Sequence, residues 1–445
     1  MRFTTKPEDD QNKTGPDRYQ QNEDHEKNRK LHVAIVAGMV GGSQTEQSRI
    51  CDGLSDQGMI ALMSELGKPA LVQKILKEIQ KKGKITFARF MEMALYDPEE
   101  GYYTNALDPI GWWGDYYTSP EVHPLFGRLI AKQLIQMLHT VAERGPMAII
   151  ELGAGKGLLA RDVLEGLKQQ DPALFGRLRY IIVERSQSMV ARQQATLAQK
   201  GFDKKVVRYV GLDRLQTEGG AVGCVLSNEL VDAFPVHRVV MTEEGLKEIY
   251  VGAGKDRIVE AVDEPSTDAL CSYFDRLKIK LAPGQQAEVN LEALRWIKEV
   301  GKTLKKGYVI TFDYGHSAAD LYAPHRKKGS LLCYHRHTVN ENPYIRIGEQ
   351  DITAHVDFTG LGQAGQEEGL AVTGFTNQQN FLMGLGIAQE MEGLDPDSPA
   401  FGAMKRLISH EGMGRTFKVL IQHKGLHPPP LEGLRFRPYF RDALV

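Results

Sequence analysis

Cysteine is scarce in this sequence and long apolar runs are absent, and each of these facts excludes a class of protein. The 4 cysteines among 445 residues include no Cys-x-x-Cys pair, which argues against a zinc site or a disulfide framework and fits a reducing compartment. The apolar stretch 31–42 is short and rich in glycine, so it cannot span a bilayer. A net charge of −2 gives no general attraction to nucleic acid. We therefore expect a cytoplasmic protein with neither nucleic-acid nor membrane partners.

The beginning of the chain is highly charged. Residues 1–30 carry seven basic and seven acidic side chains but only three apolar ones. Such a segment cannot bury enough surface to offset the entropy lost on ordering, so we predict a disordered extension over residues 1–65. Its acidic residues argue against a mitochondrial transit peptide, and it has no secretory signal. The sequence leaves open whether this extension belongs to the mature protein.

The remaining chain divides into three predicted parts. Residues 66–145 contain two amphipathic helices and a long aromatic loop, 111–127, which either covers a ligand cleft or packs on the core. Residues 146–425 form the predicted main α/β domain, with a β-hairpin and a helix inserted at about 239–283. Residues 426–445 are predicted to be an irregular tail.

The most informative stretch reads as a strand, a glycine turn and a helix. The apolar run 147–152 predicts a buried parallel strand. Three alternate glycines follow it, namely Gly153, Gly155 and Gly157. The third comes one residue early for a dinucleotide-binding G-x-G-x-x-G motif, and the residues around Lys156 do not form a phosphate-binding Walker loop.

An acidic residue at the end of this strand narrows the choice of ligand. Glu151 lies two residues before the first glycine, where a carboxylate disfavours a pyrophosphate. It favours a cation, such as the sulfonium and amino group of S-adenosylmethionine. The spacing therefore predicts a methyl-donor site, and the alternative is a tight turn that binds no ligand.

The next predicted strand, 179–184, also ends in an acid. In nucleoside-binding α/β folds an acid at this point accepts hydrogen bonds from the ribose hydroxyls, because a carboxylate offers only acceptors. Glu184 is thus the candidate for ribose binding. The alternative is a solvated charge at the end of a strand.

A third cluster of polar residues follows the apolar strand 221–226. If residues 229–234 form a short helical turn, Glu229 and Asp232 share one face and make a paired-carboxylate site. Such a pair can hold a guanidinium or orient an amine nucleophile. The alternative is an acidic helix start that complements the helix dipole, in which only Asn228 is functional.

Two stretches that contain histidine are weaker candidates. His335 and His337 alternate on a predicted strand, but no cysteine or carboxylate is spaced to complete a site, so we predict no metal. Further on, Asp351 is a predicted helix cap. His355, four residues later, is either a base or a structural hydrogen-bonding residue.

Taken in order, these motifs resemble the MidA family of S-adenosylmethionine-dependent methyltransferases. The motifs are Thr-Ser-Pro-Glu at 118–121 with Phe-Gly at 126–127, Glu-Leu-Gly-Ala-Gly-Lys-Gly at 151–157, Ser-Asn-Glu-Leu-Val-Asp-Ala-Phe-Pro-Val-His-Arg at 227–238, Asp-Tyr-Gly at 313–315 and Asp-Ile-Thr-Ala-His-Val-Asp-Phe at 351–358. The resemblance covers about residues 70–425 and departs from the family mainly in the N-terminal extension and at 329–335. It implies an α/β fold of the class I methyltransferase type, which is a Rossmann-like seven-stranded sheet with helices on both faces. An N-terminal helical part and insertions enlarge this fold.

Within this fold we predict two groups of site residues. The first group binds the cofactor S-adenosylmethionine and comprises Asp115, Thr118, Ser119, Glu151, Gly153, Gly155, Gly157 and Glu184. The second group faces the methyl acceptor and comprises Asn228, Glu229, Asp232 and His355. The stretch 115–119 and His355 are also expected to close the cleft.

The resemblance implies an activity as well. The mitochondrial relative in this family is a protein-arginine methyltransferase that symmetrically dimethylates a respiratory complex I subunit during assembly. We therefore expect arginine methylation of a protein acceptor, with a complex I-type subunit as one candidate. A small-molecule O- or N-methyltransferase with a closed apolar acceptor pocket is one alternative, and an assembly chaperone with a relic donor pocket is the other. The sequence does not indicate the oligomeric state.

Overall fold

The computed structural model of the protein describes residues 66–105, 118–141, 145–254, 257–436 and 444. Its strands, in chain order, are β1 (Ile85–Thr86), β2 (Ala148–Leu152), β3 (Arg179–Val183), β4 (Val206–Tyr209), β5 (Ala221–Asn228), β6 (His237–Thr242), β7 (Gly245–Ala253), β8 (Ile258–Asp263), β9 (Gln286–Val289), β10 (Leu304–His316), β11 (Leu332–His335), β12 (Thr338–Asn340), β13 (Asp351–Thr353), β14 (Val356–Asp357), β15 (Ala371–Asn377) and β16 (Phe417–Lys424). The predicted extension, residues 1–65, and the loop positions up to 117 that include Asp115 lie outside the described residues.

The α-helices begin in the N-terminal part and continue between the strands. They are α1 (Pro69–Lys82), α2 (Phe87–Tyr96), α3 (Tyr102–Asn105), α4 (Ser119–Val122), α5 (Leu125–Val141), α6 (Leu158–Gln170), α7 (Pro172–Arg177), α8 (Gln187–Ala198), α9 (Asp213–Thr217), α10 (Asp268–Leu277), α11 (Leu291–Thr303), α12 (Ala318–Leu321), α13 (Phe358–Glu367), α14 (Gln378–Leu385), α15 (Ile387–Met391), α16 (Pro399–Ile408) and α17 (Met413–Thr416). Among the described residues, no helix combines the length and the apolar character needed to cross a bilayer.

The central sheet has the strand order β15-β16-β10-β5-β2-β3-β4, and β14 pairs with β10 beside it. Strands β4, β3, β2, β5 and β10 run parallel, whereas β16 is antiparallel to both of its neighbours. The chain leaves β2 for β3 and β4 on one side and returns to β5 and β10 on the other. The order of strands therefore reverses between β2 and β5, and such a switch point opens a crevice at the carboxyl ends of the strands.

Helices cover both faces of this sheet, as the Rossmann-like prediction requires. On one face, Leu134 of α5 and Leu164 of α6 share a buried apolar cluster with Ile149 and Tyr180. On the other face, α11 and α13 share a second cluster with alternate residues of the same strands, Ile150 and Val225 among them. Because both faces are buried, the strands carry near-continuous apolar sequence, which is why they could be located from sequence. The predicted fold class is confirmed.

A second sheet, with the order β1-β7-β6-β9 and β8 beside β7, stands apart from the central one. Its hairpin β6–β7 and the helix α10 lie in the stretch predicted as an insertion, but the sheet also includes β9 and takes β1 from the N-terminal part. Leu71 of α1 and Phe90 of α2 are fully buried in a cluster that includes Val251 of β7. The N-terminal helices are thus part of the core around the inserted sheet.

A third sheet, β12-β11-β13, lies in the chain between β10 and α13 and was not predicted. His335 ends β11, while Arg336 and His337 form the turn to β12 with φ of 46° and 60°. The prediction that the two histidines alternate along a strand is therefore wrong. Among the described residues, no group of three or more histidine, cysteine or acidic side chains is placed to hold a metal ion.

Candidate active site

The polar residues singled out from the sequence meet at one edge of the central sheet. The glycine turn follows β2, Glu184 follows β3, Asn228 ends β5, and Asp313 lies near the end of β10. These four strands are parallel neighbours, so their carboxyl ends share an edge. The order of the strands alone therefore brings these polar residues to one edge of the sheet.

The glycine turn needs its glycines for backbone reasons. Gly153, Gly155 and Gly157 have φ of 69°, 50° and 80°, values that residues with a Cβ rarely adopt. A Cβ on Gly153 would also lie 2.7 Å from Cδ1 of Leu230. The helix α6 starts directly after Gly157. Bare backbone followed by a helix start is the arrangement that lets a ligand approach closely.

Glu184 is fixed beside this turn by two hydrogen bonds. Its carboxylate accepts from the Ser186 N–H at 2.9 Å and from Nε2 of Gln193 at 3.1 Å. Nε2 of Gln193 also donates to the carbonyl of Gly155 at 3.1 Å, so one buried amide ties the acid to the turn. Burial raises the pKa of Glu184. Sequence reasoning missed Gln193, because a glutamine within a helix carries no signal of its own.

Glu151 lies inside the core beneath the turn. Its side chain is only 2% exposed, and its carboxylate accepts a hydrogen bond of 2.7 Å from the hydroxyl of Tyr180 on β3. Burial raises the pKa of Glu151 to about 7, in spite of that hydrogen bond, which acts in the opposite direction. The structure therefore gives this acid a partner in the protein, and its predicted contact with the cation of the donor stays a prediction.

The turn after β5 differs from the predicted helical turn. Residues 229–234 form bends and a turn, and Glu229 has φ of 52°, outside the helical region. The prediction that Glu229 and Asp232 share a helix face is therefore wrong. The cause is Asp313, whose Oδ2 accepts hydrogen bonds from three successive N–H groups, those of Leu230 (3.2 Å), Val231 (2.8 Å) and Asp232 (3.4 Å).

Glu229 is held at both its backbone and its side chain. Its N–H donates to the carbonyl of Phe312 at 2.9 Å. Its Oε1 accepts from the backbone N–H of Ser119 at 3.0 Å and from Nδ2 of Asn228 at 2.9 Å. A positive φ at a residue other than glycine costs on the order of 1 kcal/mol and persists only where the surroundings impose it. Here, two strands and α4 impose it.

Four carboxyl groups collect at this point, which we call the acid cluster: Glu229, Asp232, Asp313 and Asp351. Burial raises the pKa of Glu229 to about 8 and that of Asp313 to about 7. The pKa of Asp232 is raised by burial and then by the neighbouring charges of Asp313 and Asp351. Acids crowded in a buried space favour their protonated form unless a cation joins them. The acid cluster is therefore suited to a cationic ligand.

The segment that carries Thr118 and Ser119 joins the glycine turn to the acid cluster. Thr118 caps α4 in a capping box with Glu121. Glu121 pairs with Lys156 of the glycine turn at 3.3 Å, while the N–H of Ser119 bonds to Glu229. The hydroxyl of the fully buried Ser119 donates to Oε1 of Gln378 at 3.1 Å. The structure thus brings these two predicted residues to the site.

His355 lies at the border of the acid cluster. Its ring is parallel to that of Tyr314 within 11°, with the centroids 6.5 Å apart. Burial lowers the pKa of His355 to about 4, so the ring is neutral at neutral pH. In the described part of the chain, its buried Nδ1 has no hydrogen-bond partner.

The acid before it, Asp351, is not a helix cap, so that prediction is wrong. Asp351 begins β13 and accepts a hydrogen bond of 2.7 Å from the hydroxyl of Tyr103. The helix α13 is instead capped by Asp357, whose side chain accepts from the N–H of Thr359 at 3.0 Å. The two acids are six positions apart, and only the second directly precedes the helix.

Comparison with known proteins identifies the family. The family profile described as "Putative S-adenosyl-L-methionine-dependent methyltransferase" matches residues 129–376, more than half of the chain. The chain belongs to this methyltransferase family. The predicted enzyme class and the predicted cofactor are confirmed.

Similar proteins agree with this assignment. The protein arginine methyltransferase NDUFAF7, mitochondrial, of Mus musculus is 26% identical over 389 residues, which cover 80% of this methyltransferase and 85% of the relative. The Homo sapiens protein of the same name is 26% identical over 339 residues, 71% of this chain and 73% of its own. A crystal structure of a COG1565 superfamily member from Burkholderia thailandensis bound to S-adenosyl-homocysteine is 29% identical, with a TM-score of 0.75, and covers 86% of this chain and 97% of its own.

Two observations indicate that the residues of this methyltransferase fit S-adenosylmethionine. The three glycines leave the backbone bare at alternate positions of the turn, where a Cβ would require an unfavourable backbone conformation. Oδ1 of Asn228, at the end of β5, is buried and has no hydrogen-bond partner among the described residues. Such an orphaned acceptor needs a donor, and the cofactor carries an amino group and a ribose diol.

Replacing Tyr180 by phenylalanine tests the support beneath the turn. Tyr180→Phe removes the hydroxyl that serves Glu151 and leaves a buried carboxyl group without that partner. We expect the free energy of unfolding to fall by about 1–3 kcal/mol. Urea denaturation checks this, with Tyr209→Phe, on an exposed hydroxyl of the neighbouring strand, as the control. Equal stability of the two variants would show that the hydrogen bond to Glu151 contributes little.

Glu151 and the acid cluster also predict how stability depends on pH. Glu151, Asp313 and Glu229 have pKa values of about 7, 7 and 8 in the folded protein, above the values of about 4 expected in the unfolded chain. The folded state therefore holds protons that the unfolded state has lost, and the stabilisation disappears as pH rises through the folded pKa values. We expect the free energy of unfolding to fall by about 2–3 kcal/mol between about pH 6.5 and pH 8.

The chosen pH window separates these acids from the buried bases. The pKa values of His316 and His355, lowered by burial to about 3 and about 4, affect stability below about pH 6.5. The pKa of Lys418, which burial lowers to about 8, affects stability above about pH 8. Urea denaturation at several pH values measures the slope, and Glu229→Gln should make it shallower. A flat profile between those limits would contradict the raised pKa values.

Proposed function

We propose that this methyltransferase transfers a methyl group from S-adenosylmethionine to an arginine side chain of a protein acceptor. The observation that carries the proposal is the acid cluster beside the glycine turn, since three buried carboxyl groups and the partly buried Glu229 select a cationic acceptor over a neutral one. Two similar proteins that each cover more than two thirds of the chain are named protein arginine methyltransferases.

The donor side of the proposal rests on the residues around the glycine turn. When bound, S-adenosylmethionine supplies an electrophilic methyl group on a sulfonium. Gly153, Gly155 and Gly157 offer bare backbone to it, and Glu184 offers acceptors to its ribose. The turn is positioned by Thr118 and Ser119, which lie beside it, and by Glu151, which lies beneath it. Asp115, which lies outside the described residues, is proposed to complete the donor side.

The acceptor side binds a guanidinium that is still protonated, because its pKa is above about 12 and it cannot be deprotonated in advance. Both hydrogen bonds that Glu229 accepts in the described structure go to Oε1, which leaves Oε2 for the substrate. We infer that Glu229 and Asp232 pair with the guanidinium and aim one nitrogen at the methyl group. A carboxylate then takes the proton that this nitrogen loses as its bond to carbon forms. His355, neutral at neutral pH, borders the acceptor.

The identity of the acceptor is a finer proposal. The MidA resemblance suggests a respiratory complex I-type subunit. The similar proteins named above are mitochondrial by name, whereas a cytoplasmic location is what we expect for this chain. Both statements concern the biological setting and do not alter the chemistry of the site.

Labelled methyl transfer tests the proposal. The purified protein and S-adenosylmethionine with a labelled methyl group are added to a lysate from cells that lack the protein, and labelled products are identified by mass spectrometry. We expect label on arginine of one or a few proteins, and none with Glu229→Gln. Label only in small molecules would favour a small-molecule methyltransferase. Donor binding without any transfer would favour the chaperone with a relic pocket.

A further inference from the structure

Gln193, on α8, contacts both parts of the donor side. Its side chain is fully buried, and its Nε2 donates two hydrogen bonds of 3.1 Å, one to the carbonyl of Gly155 and one to Oε2 of Glu184. Its backbone lies close to the same turn, since a Cβ on Gly157 would come within 3.2 Å of its Cα. A single residue therefore contacts two of the three glycines and the acid proposed to bind the ribose.

The partners of Gln193 fix the orientation of its amide. Nε2 faces two acceptors, whereas Oε1 accepts a hydrogen bond of 3.4 Å from Nε of Arg208 on β4. Rotating the amide by half a turn would place its oxygen against a carbonyl and a carboxylate, so these contacts would become repulsive. Both N–H groups of Nε2 are thus engaged within the protein. The amide nitrogen of Gln193 acts on a bound donor indirectly, through Glu184 and the turn.

The hydrogen bond from Gln193 also determines how Glu184 presents its oxygens. Oε1 accepts from the N–H of Ser186 at 2.9 Å and Oε2 accepts from Gln193, so each oxygen is held by a different donor. A carboxylate has about four acceptor positions, so it can accept from two hydroxyls as well. Burial raises the pKa of Glu184, and the hydrogen bond from Gln193 opposes that shift, which favours the ionised form that offers only acceptors.

We propose that Gln193 is a positioning residue that makes the donor site selective for a ribose with both of its hydroxyls. The inference rests on the donor side of the proposed function, in which Glu184 accepts from the ribose diol, and it does not depend on which acceptor is methylated. Two hydroxyls on adjacent carbons need two acceptor positions in a fixed relation to the rest of the donor. Gln193 supplies this relation, because it holds Oε2 of Glu184 and the carbonyl of Gly155 through one amide nitrogen.

Two ligands that differ only in the ribose hydroxyls test this. S-adenosylhomocysteine and its 2′,3′-dideoxy analogue are titrated into the full-length protein by isothermal titration calorimetry. We expect the unchanged protein to bind S-adenosylhomocysteine about 30-fold more tightly than the analogue, because a carboxylate forms strong hydrogen bonds with the diol. Gln193→Met has a side chain of similar length without a donor. In this variant we expect the ratio of the two affinities to fall to about threefold or less.

The ratio separates positioning from a general contribution to the fold. Loss of a purely structural contact weakens both ligands by the same factor, so an unchanged ratio in Gln193→Met would overturn the inference. If the unchanged protein binds both ligands equally, the ribose assignment of Glu184 fails and this inference fails with it. That result leaves arginine methylation to be decided by the labelled-transfer experiment, so the two failures are distinguishable.

Three further variants complete the test. Gln194→Met removes an exposed amide from the next position of α8 and should leave the ratio unchanged. Glu184→Gln should lower the ratio, and adding Gln193→Met to it should cause no further fall, because Gln193 acts on the diol through Glu184; a further fall would contradict this route. If Gln193→Met does not fold or binds neither ligand, Gln193→Asn replaces it. Its amide is one methylene too short to reach both acceptors, so the same fall in the ratio is expected.

Discussion

Glu229→Gln is expected to lower the rate of methyl transfer about 100-fold or more, while leaving the affinity for S-adenosylmethionine nearly unchanged. A glutamine keeps Oε1, so the hydrogen bonds from Ser119 and Asn228 can persist, and the loop should keep its conformation. What is lost is the charge that pairs with a guanidinium and the group that takes up its proton. Initial rates of labelled transfer and isothermal titration with the donor measure the two quantities separately.

The matched control is Glu165→Gln, which removes a carboxylate from the surface of α6, where it pairs with Lys200 at 2.9 Å. Its rate should equal that of the unchanged protein. The stability of Glu229→Gln is informative as well, because this variant removes an acid whose pKa burial has raised to about 8, and it should unfold at a higher temperature at pH 8. A fully active Glu229→Gln would exclude Glu229 from the chemistry.

Gly155→Val is expected to weaken binding of S-adenosylmethionine by about 100-fold or more. Gly155 has φ of 50°, which a β-branched residue essentially never adopts, so the turn has to change shape. The side chain would also stand where the donor is proposed to lie against bare backbone. Isothermal titration measures the effect, and unchanged affinity would overturn the assignment of the turn to the donor.

Two further variants separate loss of binding from loss of folding. Gly155→Asn tests the same position with a residue that tolerates a positive φ, so reduced affinity in a well-folded protein points to occupation of the donor space. Gly402→Val introduces the same valine on the exposed face of α16, where an added Cβ meets no atom within 4 Å. Its donor affinity should be normal. Thermal unfolding of all three variants identifies any that are not folded.

The parts of the site that the sequence predicted well are those encoded locally. The apolar run of β2, the alternate glycines and the start of α6 are consecutive in the chain, so periodicity and glycine spacing were sufficient. Glu184 and Asn228 follow from the same reasoning, since a parallel sheet brings its strand ends together.

The parts that were mistaken or missed depend on contacts between distant residues. The turn 229–234 is not helical because Asp313, more than eighty positions later, binds three of its N–H groups. Its hydrogen bonds replace those that a helix would have made, and no local pattern predicts them. Gln193 and Tyr180 likewise acquire their roles from partners on other elements, Gly155 and Glu151. The third sheet consists of strands of only three or four residues, which are too short to show a period.

The short helix α4 makes contact in two directions, through Glu121 to Lys156 and through the Ser119 N–H to Glu229. In the proposed arrangement, with the donor at the glycine turn and the acceptor at the acid cluster, a shift of this segment alters the surroundings of both substrates at once. We therefore expect their binding free energies to depend on each other. Such linkage is reciprocal: whatever factor the methyl donor contributes to the affinity for the acceptor, the acceptor contributes to the affinity for the donor. The order in which the two substrates arrive then affects the rate of the enzyme but not the total free energy of the ternary complex.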